Sequence, residues 1–517
     1  MNTRGSNYIL AKFDVSGIQD YIFASNRLRE NAGASCQVTR ILGEFLTEAF
    51  KEAADLRQAE IRLDWQEAKA LRLPEDERIM AEILYIGGGN AVALFRDPEL
   101  FRRTGEKLAV KAAENCQGIY LATAHIQTNL KDFAADKEAL DSEMDKVKRT
   151  MVRRPVYSPF PVVEQDNLSR QPITCRVARG EAAENLTGMQ FQKREAYKQI
   201  HEYQKLFPKL EGGINYSYPE EMEQLCRERG EDSIIAIVHI DGNGMGERIQ
   251  GLMQQRKGYS DGTQQIRCES KRIAELFRET YAATLQKLCD CLFPDPAQEE
   301  IRFPLRPIIL DGDDFTFLCR AELAVPFAAG FMRELMQGSR EAMCITACCG
   351  IAFVHSHFPF RVAYSIAEES CSRAKEMWYA HKQSYQKERV SCLDFRVIKE
   401  SEVGQPVKID AQKRPYSVRL SKQNTDENSL KRLYHTLIKM ENWPSGRLRK
   451  IYRALLEGEG AQEPLKREFT SRGYKISRLD QGKWTNSPLF DALELQGLCH
   501  TDLLGFFQRD SEERADG

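Results

Sequence analysis

"PIILDGDDFTFL", residues 307–318, closes an apolar run on three carboxylates, Asp311, Asp313 and Asp314, and then resumes apolar alternation. One Asp-Gly pair suffices for a tight β-turn, so turn chemistry alone leaves two acids unexplained. The stretch reads as a hairpin tip that is either a bare turn or a chemical site. Which it is depends on what the rest of the chain brings to it.

The chain repeats itself. "NYILAKFDVSGIQDYIF" (7–23) and "SIIAIVHIDGNGMGERI" (233–249) are each an apolar run ended by an Asp, then a glycine-containing turn, then a helical pattern. Downstream of the first lies "ILYIGGGNAVALF" (83–95), and downstream of the second lies the 307–318 hairpin. Asp14 precedes Asn90 by 76 residues (90 − 14), and Asp241 precedes Asp314 by 73 (314 − 241). Helical spacing recurs between these landmarks at 41–56 and 272–288, and strands follow at 118–126 and 344–354. A last helix closes each copy, near 129–150 and 361–384. Strand, helix, hairpin, helix, strand is the order of a split βαβ, ferredoxin-like unit. The expected fold is α+β, with two such palm-like domains in tandem and a helical domain after them.

In that topology the end of the first strand lies beside the hairpin tip. Asp241 is then expected next to Asp313 and Asp314. Two carboxylates about 4 Å apart repel by about 4 kcal/mol at an effective dielectric of about 20, and a hard divalent cation, Mg²⁺ or Mn²⁺, removes that repulsion. The "DGNGMG" turn, with Gly242, Asn243 and Gly244, leads into a helix N-terminus that can receive phosphate. Gly312 sits between the hairpin acids. Metal and phosphate cradle together are the equipment of phosphoryl transfer. In the first copy Gly89 and Asn90 stand where Asp313 and Asp314 stand in the second. Without the paired acids no metal site is expected there, although glycines allow close approach of a nucleotide. One catalytic half and one binding half are therefore expected, with a nucleotide site between them.

Composition narrows the alternatives. With 517 residues, 42% hydrophobic and 29% charged, the chain has room for roughly three or four domains. Lys and Arg number 74 against 76 Asp and Glu, which excludes a globally basic nucleic-acid binder. The basic runs "KVKRTMVRRP" (146–155) and "GRLRKIYR" (446–453) read as solvated helix faces or local patches. No signal peptide and no membrane-length apolar run is read, so a cytoplasmic protein is expected. The fourteen cysteines fall largely in apolar settings and read as reduced.

The motifs resemble the large-subunit family of type III CRISPR effector complexes, polymerases with paired palm domains. "FDVSGIQDYIF" (13–23) and "YIGGGNAVALF" (85–95) are similar to its first palm, and "NAGAS" (31–35) to the segment between them. "IDGNGMG" (240–246) resembles the second-palm D-x-D-x-x-G element, and "LDGDDFTFL" (310–318) the GGDD hairpin. The likeness covers roughly residues 7–390. It implies joining of ATP into cyclic oligoadenylates, with Asp241, Asp313 and Asp314 as metal and catalytic acids. It makes Ser16, Gly17, Gly88, Gly89 and Asn90 candidates for a second nucleotide. A more distant likeness to diguanylate-type cyclases matches Ala374–Lys375, which leaves Lys375 either a triphosphate contact or a surface lysine.

The sequence departs from the family at Asp311, in place of a GGDD glycine, and at Asn243, in place of the second D-x-D acid. No adjacent His-Asp pair marks a DNA nuclease, and only Cys175 and Cys226 fall in 160–230, too few for a zinc cluster. The expected domains are 1–163 (first palm), 164–230 (connector with a helix over 190–210), 231–400 (second palm) and 401–517 (helical). Expected partners are nucleoside triphosphates, with RNA, effector-complex subunits or a second copy left open. The alternative to a cyclic-oligonucleotide synthase is a weakly active or inactive nucleotide-binding scaffold.

Overall fold

The computed structural model describes residues 8–67, 70–153, 162–167, 169–179, 182–200, 215–226, 233–254, 258–293, 300–339, 345–398, 412–420, 428–441, 443–474, 484 and 487–503. They form an α+β protein of two units: residues 1–205, 244–275 and 311–313 in the first, and 206–243, 276–310 and 314–517 in the second. The 201–210 end of the expected connector helix and Cys344 lie outside the described residues.

The first unit holds a sheet of β1 (Tyr8–Ser16), β2 (Glu60–Arg62), β3 (Ile79–Gly87), β4 (Asn90–Phe95) and β5 (Tyr120–Thr128), ordered β2-β3-β4-β1-β5. β1 is buried at nearly every position because both faces of the sheet are covered. Ile9, Ala11, Phe13 and Val15 face one core with Phe45, Phe50 and Phe95. Tyr8 and Leu10 face the other, with Phe133, Leu140, Met144, Met253, Tyr259 and Ile266. The alternation follows from the two-residue repeat of a strand. Phe13 packs edge-on against Phe50, which stacks on Phe95 at 5.2 Å. The Phe133–Thr150 helix is capped by Asp132, whose carboxylate accepts from the amides of Ala134 and Ala135.

The polar stretch expected as a connector with a helix carries a hairpin, β6 (Ile173–Arg179) and β7 (Ala182–Thr187), followed by the helix Gly188–Tyr197. A capping box between Thr187 and Gln190 starts that helix. It packs on the helix Leu28–Arg40, which carries "NAGAS". Gly33 explains the closeness: a Cβ there would lie 1.8 Å from the Lys193 carbonyl oxygen. The buried Lys193 ammonium donates to the Tyr21 carbonyl at 2.6 Å.

In the second unit β8 (Asn215–Ser217) pairs with β10 (Glu300–Arg302). The main sheet comprises β9 (Ile234–Gly242), β11 (Leu305–Asp311), β12 (Asp314–Arg320), β13 (Ala347–His355), β14 (Ser391–Val397) and β15 (Tyr416–Val418), ordered β11-β12-β9-β13-β14-β15. The Phe360–Ala380 helix lies so close to β13 that a Cβ on Gly350 would come 1.9 Å from the Ala367 carbonyl oxygen. Among the described residues the C-terminal region carries the helices Leu430–Met440, Ser445–Glu457, Glu459–Ser471 and Leu489–Glu494. It also adds β15 to the sheet edge. Buried Asp491 ties the two together, accepting from the Tyr416 hydroxyl at 2.5 Å and the Lys413 amide at 2.8 Å.

The thirteen cysteines among the described residues are free thiols. Among those residues no helix is long and apolar enough to cross a membrane.

Candidate active site

β9 carries Asp241 at its penultimate position, and β12 begins at Asp314. The two are direct partners across the antiparallel ladder, so their side chains project from one face of the sheet. Asp313 and Gly312 make the two-residue turn between β11 and β12, and Gly312 has a φ of 60°. Asp311 ends β11. Asp241 and Asp314 are each about one-third exposed, with side-chain accessibilities of 33%.

Lys375, from the Phe360–Ala380 helix, donates a hydrogen bond to Asp241 Oδ2. Burial works to lower the lysine pKa, but the Asp241 charge outweighs it and holds Lys375 above the ordinary value. Lys375 is thus a half-buried ion-pair partner of the strand-end acid. Asp314 has its own partner set. His239, two residues before Asp241 and on the same face, places Nδ1 3.4 Å from Asp314 Oδ1 and 3.0 Å from Thr316 Oγ1. Thr316 Oγ1 in turn donates to Asp314 Oδ1 at 3.3 Å. His239 is buried, which alone depresses its pKa, yet the Asp314 charge leaves it raised.

Asn243, the replacement for a second acid, is held by Thr346. Its backbone amide donates to the Thr346 carbonyl at 2.9 Å, and Nδ2 donates to Thr346 Oγ1 at 3.0 Å. These bonds leave Oδ1 buried and without a hydrogen-bond partner. A buried acceptor with no donor is costly, and a cation would satisfy it. Among the described residues no three His, Cys, Asp or Glu side chains are gathered as a ready-made metal site. Lys375 supplies the positive charge at Asp241 instead. The Asp241 and Asp314 carboxylates and the unbonded Asn243 oxygen are nevertheless hard-oxygen donors, the chemistry that suits Mg²⁺ or Mn²⁺. Gly242 closes β9, and Gly244, at φ 67°, turns the chain into the helix Met245–Gln254.

The first unit has the same scaffold with other side chains. Asp14 of β1 is the partner of Asn90 of β4. Gly88 and Gly89 form the turn at φ 58° and 72°, and Gly17 follows β1 at φ 71°. The Val15 amide donates to the Gly89 carbonyl at 3.1 Å. Buried Asp14 is paired with Lys148 at 2.7 Å, and Arg153 donates to Ser16 Oγ at 2.6 Å. Sequence reasoning identified the acids and glycines but not His239, Thr316, Thr346, Lys148 or Arg153. Lys148 and Arg153 lie inside the basic run read as a solvated face or a local patch.

Both units thus set a strand-end residue opposite a hairpin tip, acid against acid in the second and acid against amide in the first. The same fold occurs in the crystal structure of the Csm1-Csm4 subcomplex in the type III-A CRISPR-Csm interference complex (14% identity, 98% of this chain and 70% of that one, TM-score 0.53). It also occurs in the Csm1-Csm4 cassette in complex with cA3 (12% identity, 95% and 70%, TM-score 0.53). The cassette in complex with cA4 is similar as well (13% identity, 96% and 71%, TM-score 0.51). At these identities the likeness is one of fold. No protein-family model and no curated protein matches the sequence.

Proposed function

We propose that the chain is a nucleotidyltransferase of two tandem palms, over residues 1–163 and 231–400, that joins ATP into a cyclic oligonucleotide for antiviral signalling. The observation that carries this reading is the direct pairing of Asp241 with Asp314 at the strand ends, with Lys375 on the first of them. Solved chains of this fold occur in complexes with cA3 and cA4, which supports an adenylate chemistry. Use of a triphosphate puts the working compartment in the cytoplasm.

Asp241, Asp313, Asp314 and the Asn243 Oδ1 atom would hold Mg²⁺ or Mn²⁺. When bound, such an ion supplies Lewis-acid charge to the attacking 3′-oxygen and to the departing pyrophosphate. The chain's own groups do the positioning. His239 and Thr316 orient the Asp314 carboxylate, and Thr346 holds the Asn243 amide with its oxygen unbonded. Lys375, once released from Asp241, offers its ammonium to a phosphate. The Met245–Gln254 helix presents its N-terminus after Gly244. In the first palm Ser16, Gly17, Gly88, Gly89 and Asn90 contact a second nucleotide.

Purified protein incubated with ATP and Mg²⁺ or Mn²⁺, with products resolved by mass, tests the proposal. Cyclic oligoadenylate is expected from the native chain, and none from a soluble double variant, Asp313→Ala with Asp314→Ala. Undiminished synthesis by that variant would remove the assignment. The neutral Asn243 favours a second reading, a scaffold that binds nucleotide within an effector complex without turnover. Binding without pyrophosphate release under either metal would select it.

A further inference from the structure

The two halves share more than their strands. In the second, Lys375 lies 134 residues after the aspartate it pairs with. In the first, Lys148 follows Asp14 at that same separation (148 − 14), and it pairs with Asp14. One common offset relates the aspartates, the lysines and the first residues of the lysine-bearing helices, Phe133 and Phe360 (241 − 14, 375 − 148 and 360 − 133). Lys148 is therefore the repeat counterpart of Lys375. The lysine–aspartate pair belongs to the common plan, and the hairpin opposite it has diverged.

That divergence inverts the local charge. Around the second pair stand Asp313 and Asp314, so acids outnumber the single lysine. Around the first pair the hairpin contributes Gly88, Gly89 and Asn90, which carry no charge. Arg153 reaches in to Ser16, and Lys148 offsets Asp14. One level deeper, Lys12 and Lys137 both bind Asp141, at 2.8 and 2.5 Å. Taken together, the charged groups named here leave the first strand end with an excess of cation. A polyphosphate can enter such a site against side-chain charge alone, whereas the second site needs an added cation first.

We propose that the first half binds the polyphosphate of a nucleoside triphosphate without a metal ion, through Lys148 and Arg153. The proposal rests on the reading of the first half as a nucleotide site and adds to it the groups that hold the phosphates. On nucleotide entry Arg153 leaves Ser16 for a phosphate oxygen. Lys148 spans Asp14 and the phosphates, so the buried carboxylate is never opposed to the ligand without a counter-charge. The second half reaches the same end through a metal at Asp241 and Asp314. One chain thus carries a metal-free and a metal-dependent version of one anion site.

The test is equilibrium binding of the non-hydrolysable α,β-methylene analogue of ATP to the full chain, in excess EDTA and in Mg²⁺, with stoichiometry measured by dialysis. One analogue per chain is expected in EDTA and a further one in Mg²⁺. Lys148→Gln and Arg153→Gln each weaken the EDTA-resistant site about tenfold or more, as loss of a charge-assisted contact implies. Asp313→Asn with Asp314→Asn removes only the Mg²⁺-dependent site. Lys148→Arg retains the EDTA-resistant site, and Arg153, being exposed, can be changed without loss of fold.

Two analogues bound in Mg²⁺ but none in EDTA would overturn the metal-free proposal and leave the first half's nucleotide site standing. EDTA-resistant binding indifferent to both substitutions would overturn it too. A single analogue in Mg²⁺, abolished by the Asp313/Asp314 change, would instead defeat the nucleotide reading of the first half itself.

Discussion

Replacing Lys375 by Met separates two roles that a simple loss of activity would merge. In the nucleotide-free chain Lys375 neutralises Asp241, with 28% of the lysine side chain and 33% of the aspartate side chain exposed. A pair this accessible is worth more than a surface ion pair and less than a buried one, about 1–2 kcal/mol. Lys375→Met should destabilise the fold by about that amount, because Asp241 is left opposite Asp314 without a counter-charge. The same free energy opposes any metal that must displace the lysine. Removing the lysine should therefore tighten Mn²⁺ binding by roughly 5–30-fold, taking about 1.4 kcal/mol as tenfold. Cyclic product should meanwhile be lost, since no ammonium remains for the phosphates. Calorimetric Mn²⁺ titration of both proteins, with thermal unfolding at each metal concentration, measures the effect. Mn²⁺ affinity equal to or weaker than that of the native chain would refute the claim that Lys375 occupies a metal's place. The lysine pKa is raised, so the pair's contribution is complete at neutral pH and fades only as pH climbs through that raised value.

His239→Gln should destabilise by about 1–3 kcal/mol, the range for a buried partner removed, and unequally with pH. A folded pKa raised above the usual value of about 6.5 gives a contribution present in full below it and lost as pH rises through the folded value. Urea unfolding should show the largest deficit near pH 6 and the smallest near pH 9; a constant deficit would mean that His239 stays neutral. Gly350→Ala should cost about 3 kcal/mol or cause local rearrangement, because the new Cβ meets Ala367 backbone 1.9 Å away and must push the Lys375 helix off β13. An unchanged melting temperature would contradict that packing. Gly244→Ala meets nothing within 4 Å but keeps a φ of 67°, and should cost only about 1 kcal/mol by the same assay.

What the sequence made legible were features that sit together in it. The apolar runs closed by Asp14 and Asp241, the "GGGN" and "DGDD" tips and the helices between them are contiguous motifs. Near-equal spacings (90 − 14 and 314 − 241) tied strand end to tip in each copy, and the ladder pairs Asp14 with Asn90 and Asp241 with Asp314. The hairpin at 173–187 escaped because a polar, mixed run carries little alternation, and its pairing is satisfied by backbone bonds that any side chain permits. The role of Gly33 escaped because a close helix crossing depends on Lys193, which lies far along the chain (193 − 33).

The cations escaped for a related reason, and the repeat contains the signal that would have found them. Lys148 and Lys375 occur late in each copy, on helices whose surface lysines are individually unremarkable, and no local spacing joins either to an aspartate so much earlier in the chain. Aligning the copies on Asp14 and Asp241 alone carries Lys148 onto Lys375, although the hairpin tips between them lie three residues off that offset (241 − 14 against 314 − 90). His239 is carried onto Lys12 by the same offset, and each serves a carboxylate: Asp314 in one half, Asp141 in the other. A basic group two positions before the strand-end acid is thus common to both halves, while its partner has changed. Chance would have to place both the lysine and the basic strand position at the offset that already relates the acids, and have each make an ion pair. Common descent of the two halves needs only that the acids on one hairpin were lost or gained afterwards. On that account the hairpin tip, "GGGN" in one copy and "DGDD" in the other, is where the two halves diverged.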